Sequence, residues 1–243
     1  MNSFSLTDKG LTRSSNQDDV ITLNKGNGDS LYVLCDGMGG HVGGAEACKR
    51  CINVFKNEFK KSKYNSKEEA KEWLYKTILK ANKDIISAGK KDVSLKGMGT
   101  TVVCLLISQK YKVYASVGDS RLYSYNKKKL KQISEDQTFA TALYKAGYIN
   151  EEEAKNHPRR SMLLCAVGTA TSNDLDVQIS EIKGNDNYLL CSDGLYNMVE
   201  DSKIKKILDE KITIEDKAKR LINAANDNGG LDNVSVILLE ASI

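Results

Sequence analysis

A chain of 243 residues is long enough to bury a substantial core. Its 36 basic and 32 acidic side chains leave a net charge of +4, too small and too dispersed to argue for nucleic acid or a membrane surface as the partner. Residues 1–10 lack the basic start and apolar run of a leader peptide, and no later stretch reaches bilayer length, so a soluble cytoplasmic protein is expected.

Along the chain, strand-like runs come first at residues 3–7, 19–23 and 31–35. Helical periodicity follows from 44 to about 60 and from 67 to about 88, where Trp73, Leu74, Thr77, Ile78, Ala81 and Ile85 trace one face. Strands are then predicted at 101–108, 112–117 and 121–125, joined by turns short enough to favour antiparallel pairing. Residues 136–167 are polar and helix-prone and read as an insertion outside the sheets. Strands at 176–182 and 188–191, helices at 202–208 and 214–225, and a last strand at 233–240 complete the pattern. Helices thus come in pairs that flank groups of strands, which predicts an α+β layered sandwich. With a single proline, Pro158, and no linker-like stretch, residues 1–243 read as one domain with an insertion at about 136–167. Six scattered cysteines, four of them inside apolar runs, read as small buried hydrophobes. The Cys48-Lys-Arg-Cys51 spacing is assigned to packing.

The aspartates carry the chemical signal. Asp36, Asp119 and Asp193 follow predicted strands, and Asp232 precedes one, so carboxylates remote in sequence can converge on one sheet edge. An Asp-Gly pair is by itself an ordinary turn. However, Tyr-Val-Leu-Cys-Asp-Gly at 32–37 and Tyr-Leu-Leu-Cys-Ser-Asp-Gly at 188–194 build the same device twice. Hard oxygen donors with only two histidines point to Mg²⁺ or Mn²⁺, ions suited to phosphoryl chemistry. Arg13 lies in a turn between two strands, and a guanidinium can grip phosphate bidentately, though on its own the segment reads as a solvated turn. The glycine-rich stretch 37–44 lacks the Lys-Ser/Thr ending of a nucleotide loop. His41, inside it, reads equally as an acid or substrate contact and as a loop histidine bonding backbone.

Taken in order, Arg13-x-x-Asn16-Gln17-Asp18, Asp36-Gly37-Met38-Gly39-Gly40-His41, Gly99-Thr100-Thr101, Gly118-Asp119-Ser120-Arg121, Ser192-Asp193-Gly194 and Asp232-Asn233 resemble the metal-dependent Ser/Thr protein phosphatases of the 2C type, in their compact bacterial branch. The resemblance implies a four-layer αββα sandwich with two central antiparallel β-sheets between helix pairs. It also implies hydrolysis of phosphoserine and phosphothreonine by a metal-activated bridging water. Carried over to this chain, Asp36 bridges two Mn²⁺ or Mg²⁺ ions, the Gly37 carbonyl joins one, and Asp193 and Asp232 bind the other. Asp18 acts through metal-bound water, Asp119 with Asp193 holds a third, weaker ion, and Arg13 orients the phosphate. The insertion matches a flap beside the active site. Partners implied are phosphorylated proteins, among them a Ser/Thr kinase and its substrates, for a monomer that engages neither nucleic acid nor the bilayer interior. Two positions depart from the pattern. Met38 stands where larger relatives carry a histidine that protonates the leaving oxygen, which leaves His41 or a water on the third ion as general acid. Cys165 stands where many bacterial relatives carry arginine. The competing expectation, a silent phosphoprotein-binding module of the same fold, has no use for the costly carboxylate cluster.

Overall fold

The computed structural model describes residues 1–127, 129–169, 174–184 and 186–241, and at 40–42 the backbone alone. Two five-stranded antiparallel sheets form the centre. The first runs in the order β1 (Asn2–Asp8), β12 (Val234–Glu240), β11 (Asn187–Cys191), β8 (Arg121–Tyr125), β9 (Leu130–Gln132). The second runs β10 (Gln178–Ile182), β7 (Lys112–Val117), β6 (Val102–Ile107), β3 (Ser30–Cys35), β2 (Asp19–Asn24).

The central strands are apolar on both faces because each face is covered, and alternation decides what covers it. In β3, Leu31, Val33 and Cys35 face a core shared with α1 (Gly40–Lys61) and α2 (Lys67–Lys91), whereas Tyr32 and Leu34 face the other sheet. In β11, Leu189 and Cys191 face α6 (Asp201–Leu208) and α7 (Ile214–Asp227), whereas Tyr188 and Leu190 face inward. Three apolar cores therefore separate four layers, in the αββα order expected. Burying whole aliphatic side chains in each contributes about 1.5–3 kcal/mol per residue.

Helix α2 starts where Ser66 accepts the Glu69 N–H as its cap. It buries Leu74, Thr77, Ile78, Ala81 and Ile85, the face its periodicity predicts. Trp73 sits at the margin of that core, its ring 6.1 Å from Phe59 and 5.7 Å from Tyr64. The predicted strand at 101–108 is β6, and just before it an unpredicted strand, β5 (Gly99–Thr100), pairs with β4 (Gly37–Met38) outside the two large sheets. Helix α1 begins at Gly40 rather than 44, and α5 (Asp193–Tyr196) and β9 are too short to register as periodicity.

Residues 136–167 lie outside both sheets and hold α3 (Phe139–Lys145) and α4 (Glu151–Lys155). Thr138 caps α3, and Asn150 with Glu153 forms a capping box on α4. The six cysteines are all buried free thiols, as their apolar surroundings suggest. Among the described residues, no helix is long and apolar enough to cross a membrane.

Candidate active site

The sequence-predicted aspartates meet at one edge of the sandwich. Asp36, Asp119, Asp193 and Asp232 line a cavity of about 420 Å³ together with Arg13, Gly37, Met38 and Thr101. Ser161 and Leu163 reach it from the 136–167 segment.

Asp36 leaves β3 with its peptide gripped on both sides. Its N–H donates to Thr101 Oγ1 at 3.1 Å, and its carbonyl accepts from Thr101 N at 2.8 Å and Thr100 Oγ1 at 2.9 Å. Thr101 Oγ1 also lies 2.7 Å from Ser120 Oγ, which ties the neighbourhood of Asp119 to that of Asp36. At Gly37 a Cβ would stand 2.4 Å from the Gly44 carbonyl oxygen, so a side chain there would push α1 away from the site.

Asp193 is the first residue of α5, and Asn197 Nδ2 donates to its Oδ2 at 3.1 Å. At Gly194 a Cβ would stand 2.0 Å from the Asn233 carbonyl oxygen, so glycine is what lets α5 pack against the start of β12. Asp232 accepts the Asn233 N–H on Oδ1 and Arg13 Nη2 on Oδ2, the latter at 2.8 Å. Asp18, only 9% exposed, accepts Ser192 Oγ on Oδ2 at 2.7 Å, while its buried Oδ1 has no partner.

Burial is the first cause that raises Asp18, Asp36, Asp119 and Asp193, and proximity to other carboxyls adds to it. Asp193 is pushed up to about 6, Asp18 to about 7 and Asp119 to about 8, and Asp36 lies well above the usual carboxylate range. Asp36 also stands within hydrogen-bonding reach of Asp193. In Asp18 the two serine hydroxyls, Ser235 and Ser192, oppose the shift. Arg13 is raised, first by its hydrogen bond to Asp232.

Buried carboxylates that raise one another, with an unpartnered oxygen on Asp18, fit a hard divalent cation better than any arrangement of protons. Among the described residues, no three acidic, imidazole or thiol groups already form a complete ligand set. Mg²⁺-type sites keep several waters and need few direct protein donors. Asp36, Asp193 and Asp232, with Asp18 and Asp119 close by, are the groups that could hold such ions.

Other predicted positions fall differently. The His41 side chain lies outside the described residues; its backbone belongs to the first turn of α1. Cys165 is turned into the core beneath α2, with a long polar contact of 3.9 Å to the Asp176 carbonyl. Arg121 grips Asp136 through Nε and Nη2, donates to Tyr123 and stacks 3.5 Å over the Tyr196 ring. Tyr196 in turn donates to the Asp119 carbonyl at 3.0 Å. Gln137 accepts the Gly118 N–H at 2.7 Å, so the root of the 136–167 segment is locked to the loop that carries Asp119. Ser192, Asn233, Thr101 and Gln137 support the site without having been singled out. The first three lie inside recognised motifs, which signals that they matter but not what they touch.

The family model described as Protein phosphatase 2C matches residues 11–232. The serine/threonine phosphatase stp of Listeria monocytogenes is 36% identical over 238 residues, covering 98% of this chain and 94% of that protein. The protein phosphatase PhpP of Streptococcus pneumoniae is 33% identical over 234 residues, covering 96% and 95%. Among solved structures, serine/threonine phosphatase Stp1 from Staphylococcus aureus superposes with a TM-score of 0.91 at 36% identity, covering 99% of this chain and 95% of that one. The serine/threonine phosphatase of S. agalactiae gives 0.91 at 32% identity, covering 99% of both.

Proposed function

The chain belongs to the protein phosphatase 2C family and is a protein serine/threonine phosphatase, and from that premise we propose that it works as a Mn²⁺- or Mg²⁺-dependent enzyme whose ions are held by Asp36, Asp193 and Asp232. The observation that carries this reading is the convergence of buried, mutually repelling carboxylates from both sheets on one cavity.

Two ions bound there, with a third weaker one near Asp119 and Asp193, supply an activated water nucleophile and offset charge at phosphorus. The rest belongs to the chain. Asp36 leaves β3 on a peptide fixed by Thr100 and Thr101, so its carboxylate is aimed before any ligand arrives. Gly37 offers its carbonyl beside it. Ser192 holds one oxygen of Asp18 and leaves the other, buried, without a hydrogen-bond partner. Arg13 is 56% exposed in its pair with Asp232. Such exposed pairs contribute about 0–1 kcal/mol, so the guanidinium exchanges its partner for a phosphate at small cost.

His41 is the candidate proton donor to the leaving oxygen, with a water near Asp119 as its rival. Residues 136–167 act as a flap that meets the protein substrate, since Ser161 and Leu163 border the cavity. In the cell the enzyme is a cytoplasmic monomer that opposes a bacterial Ser/Thr kinase and acts on that kinase and its substrates. Phosphate release from a phosphothreonine peptide tests the reading. Release that requires Mn²⁺ and stops with chelator supports it, and undiminished release from exhaustively chelated protein would sink it.

A further inference from the structure

Arg13 sits in a loop, residues 9–17, that has no regular structure of its own and is held on two sides. Upstream, the N–H groups of Leu11 and Thr12 donate to the Gly230 carbonyl at 2.9 and 3.2 Å, a backbone contact that no side chain controls. Further along, Asn16 Nδ2 donates to Thr7 Oγ1 at 2.7 Å, and one side chain from outside the loop ties its two ends together. Asn233 Nδ2 donates to the carbonyls of Lys9 at 2.8 Å and Ser15 at 3.0 Å, and its Oδ1 accepts the Gln17 N–H at 2.9 Å.

Asn233 is 6% exposed and borders the cavity. Both N–H bonds of its amide are committed to loop carbonyls, which leaves it no side-chain donor for a phosphate oxygen. Its amide instead bridges the two ends of a nine-residue arc, Lys9 to Gln17, centred on Arg13. We infer that Asn233 is a positioning residue for phosphate capture: it shapes the loop so that Arg13 stands over the carboxylates, and acts on the substrate only through Arg13. The inference rests on the phosphate-binding role given to Arg13 above.

The backbone N–H of Asn233, which donates to Asp232, survives any substitution of the side chain. The effect therefore separates from loss of the Asp232 carboxylate. The test compares wild type, Arg13→Ala, Asn233→Ala and the double variant at saturating Mn²⁺. It reads the inhibition constant of orthophosphate against an aryl phosphate, together with amide hydrogen exchange in residues 9–17. Arg13→Ala and Asn233→Ala should each weaken orthophosphate by about tenfold, the range of one charge-assisted hydrogen bond. Asn233→Ala should also speed exchange in the loop. In the Arg13→Ala background, losing Asn233 should cost less than about twofold more, because the two residues act as one unit.

Asn233→Asp keeps the size and an acceptor for Gln17 but loses both donors. It should move the constant the same way, and it serves if the alanine variant fails to fold. Equal losses from Asn233→Ala in both backgrounds, or an unchanged constant in Asn233→Ala alone, would overturn the inference while leaving Arg13 in place. An unchanged constant in Arg13→Ala would overturn the phosphate role and the inference with it.

Discussion

Strands β3 and β11 lie in different sheets yet carry nearly the same sequence, Tyr32-Val-Leu-Cys35 and Tyr188-Leu-Leu-Cys191. In both, the tyrosine and the leucine before the cysteine face the core between the sheets, and the cysteine faces the helices outside. They part at the next residue. Asp36 follows Cys35 at once, whereas Ser192 intervenes before Asp193. Because side chains alternate, Ser192 takes the position after the cysteine that Asp36 takes just past β3, and Asp193 moves into the first turn of α5. One strand end thus delivers a carboxylate directly. The other delivers a hydroxyl that holds Asp18 and then a carboxylate on a helix start. A single added residue turns one device into two functions.

The largest expected effect removes the shared part. Asp36→Asn and Asp193→Asn should each lower phosphate release by at least about a thousandfold, since each takes a charge from the site that stabilises the transition state. A loss at Asp193 below tenfold would break the symmetry of the two strand ends. Next comes the part that differs. Ser192→Ala removes the hydroxyl that donates to Asp18 Oδ2 and should weaken Mn²⁺ binding by about 10–100-fold, the range for a residue that orients a ligand. Titration calorimetry reads it, and unchanged affinity would remove Ser192 from the site.

Without metal, the raised carboxyls set a pH dependence. Their folded values, about 6 to 8, exceed the unfolded value of about 3.9, so the folded chain binds more protons between about pH 4 and 8. Stability is highest at the acid end of that window and falls as pH rises through it. The melting temperature of chelated protein should therefore drop from pH 5 to pH 8, and saturating Mn²⁺ should flatten the curve. A chelated protein that grows more stable over that range would contradict the burial argument. The smallest effect lies at the flap root. Arg121→Lys loses the fork that grips Asp136 and should lower kcat/KM on a phosphoprotein about fivefold more than on an aryl phosphate. Equal losses on both substrates would separate Arg121 from the flap.

Most of the layered fold was legible because its strands and long helices carry strong periodicity. Strands β7 and β8 occupy the predicted residues, and α2 buries the predicted face. Elements of two to four residues, such as β4, β5 and α5, leave too few side chains to show a period. Their existence depends on partners far along the chain. The same distinction runs through the site. Asp36, Asp119, Asp193 and Asp232 announce themselves at strand ends, whereas the contact of Ser192 with Asp18 spans 174 positions and that of Asn233 with Gln17 spans 216. No local pattern encodes such a pair, although both residues sit beside a recognisable aspartate.

The central claim is that carboxylates from the two sheets form one metal site. Mn²⁺ titration calorimetry at pH 6.5, repeated in two buffers of different ionisation heat, tests it most directly on wild type and Asp36→Asn. Binding of at least two ions with net proton release, abolished in a variant that still melts cooperatively, is the predicted result. Mn²⁺ binding by Asp36→Asn with wild-type affinity and stoichiometry would contradict it.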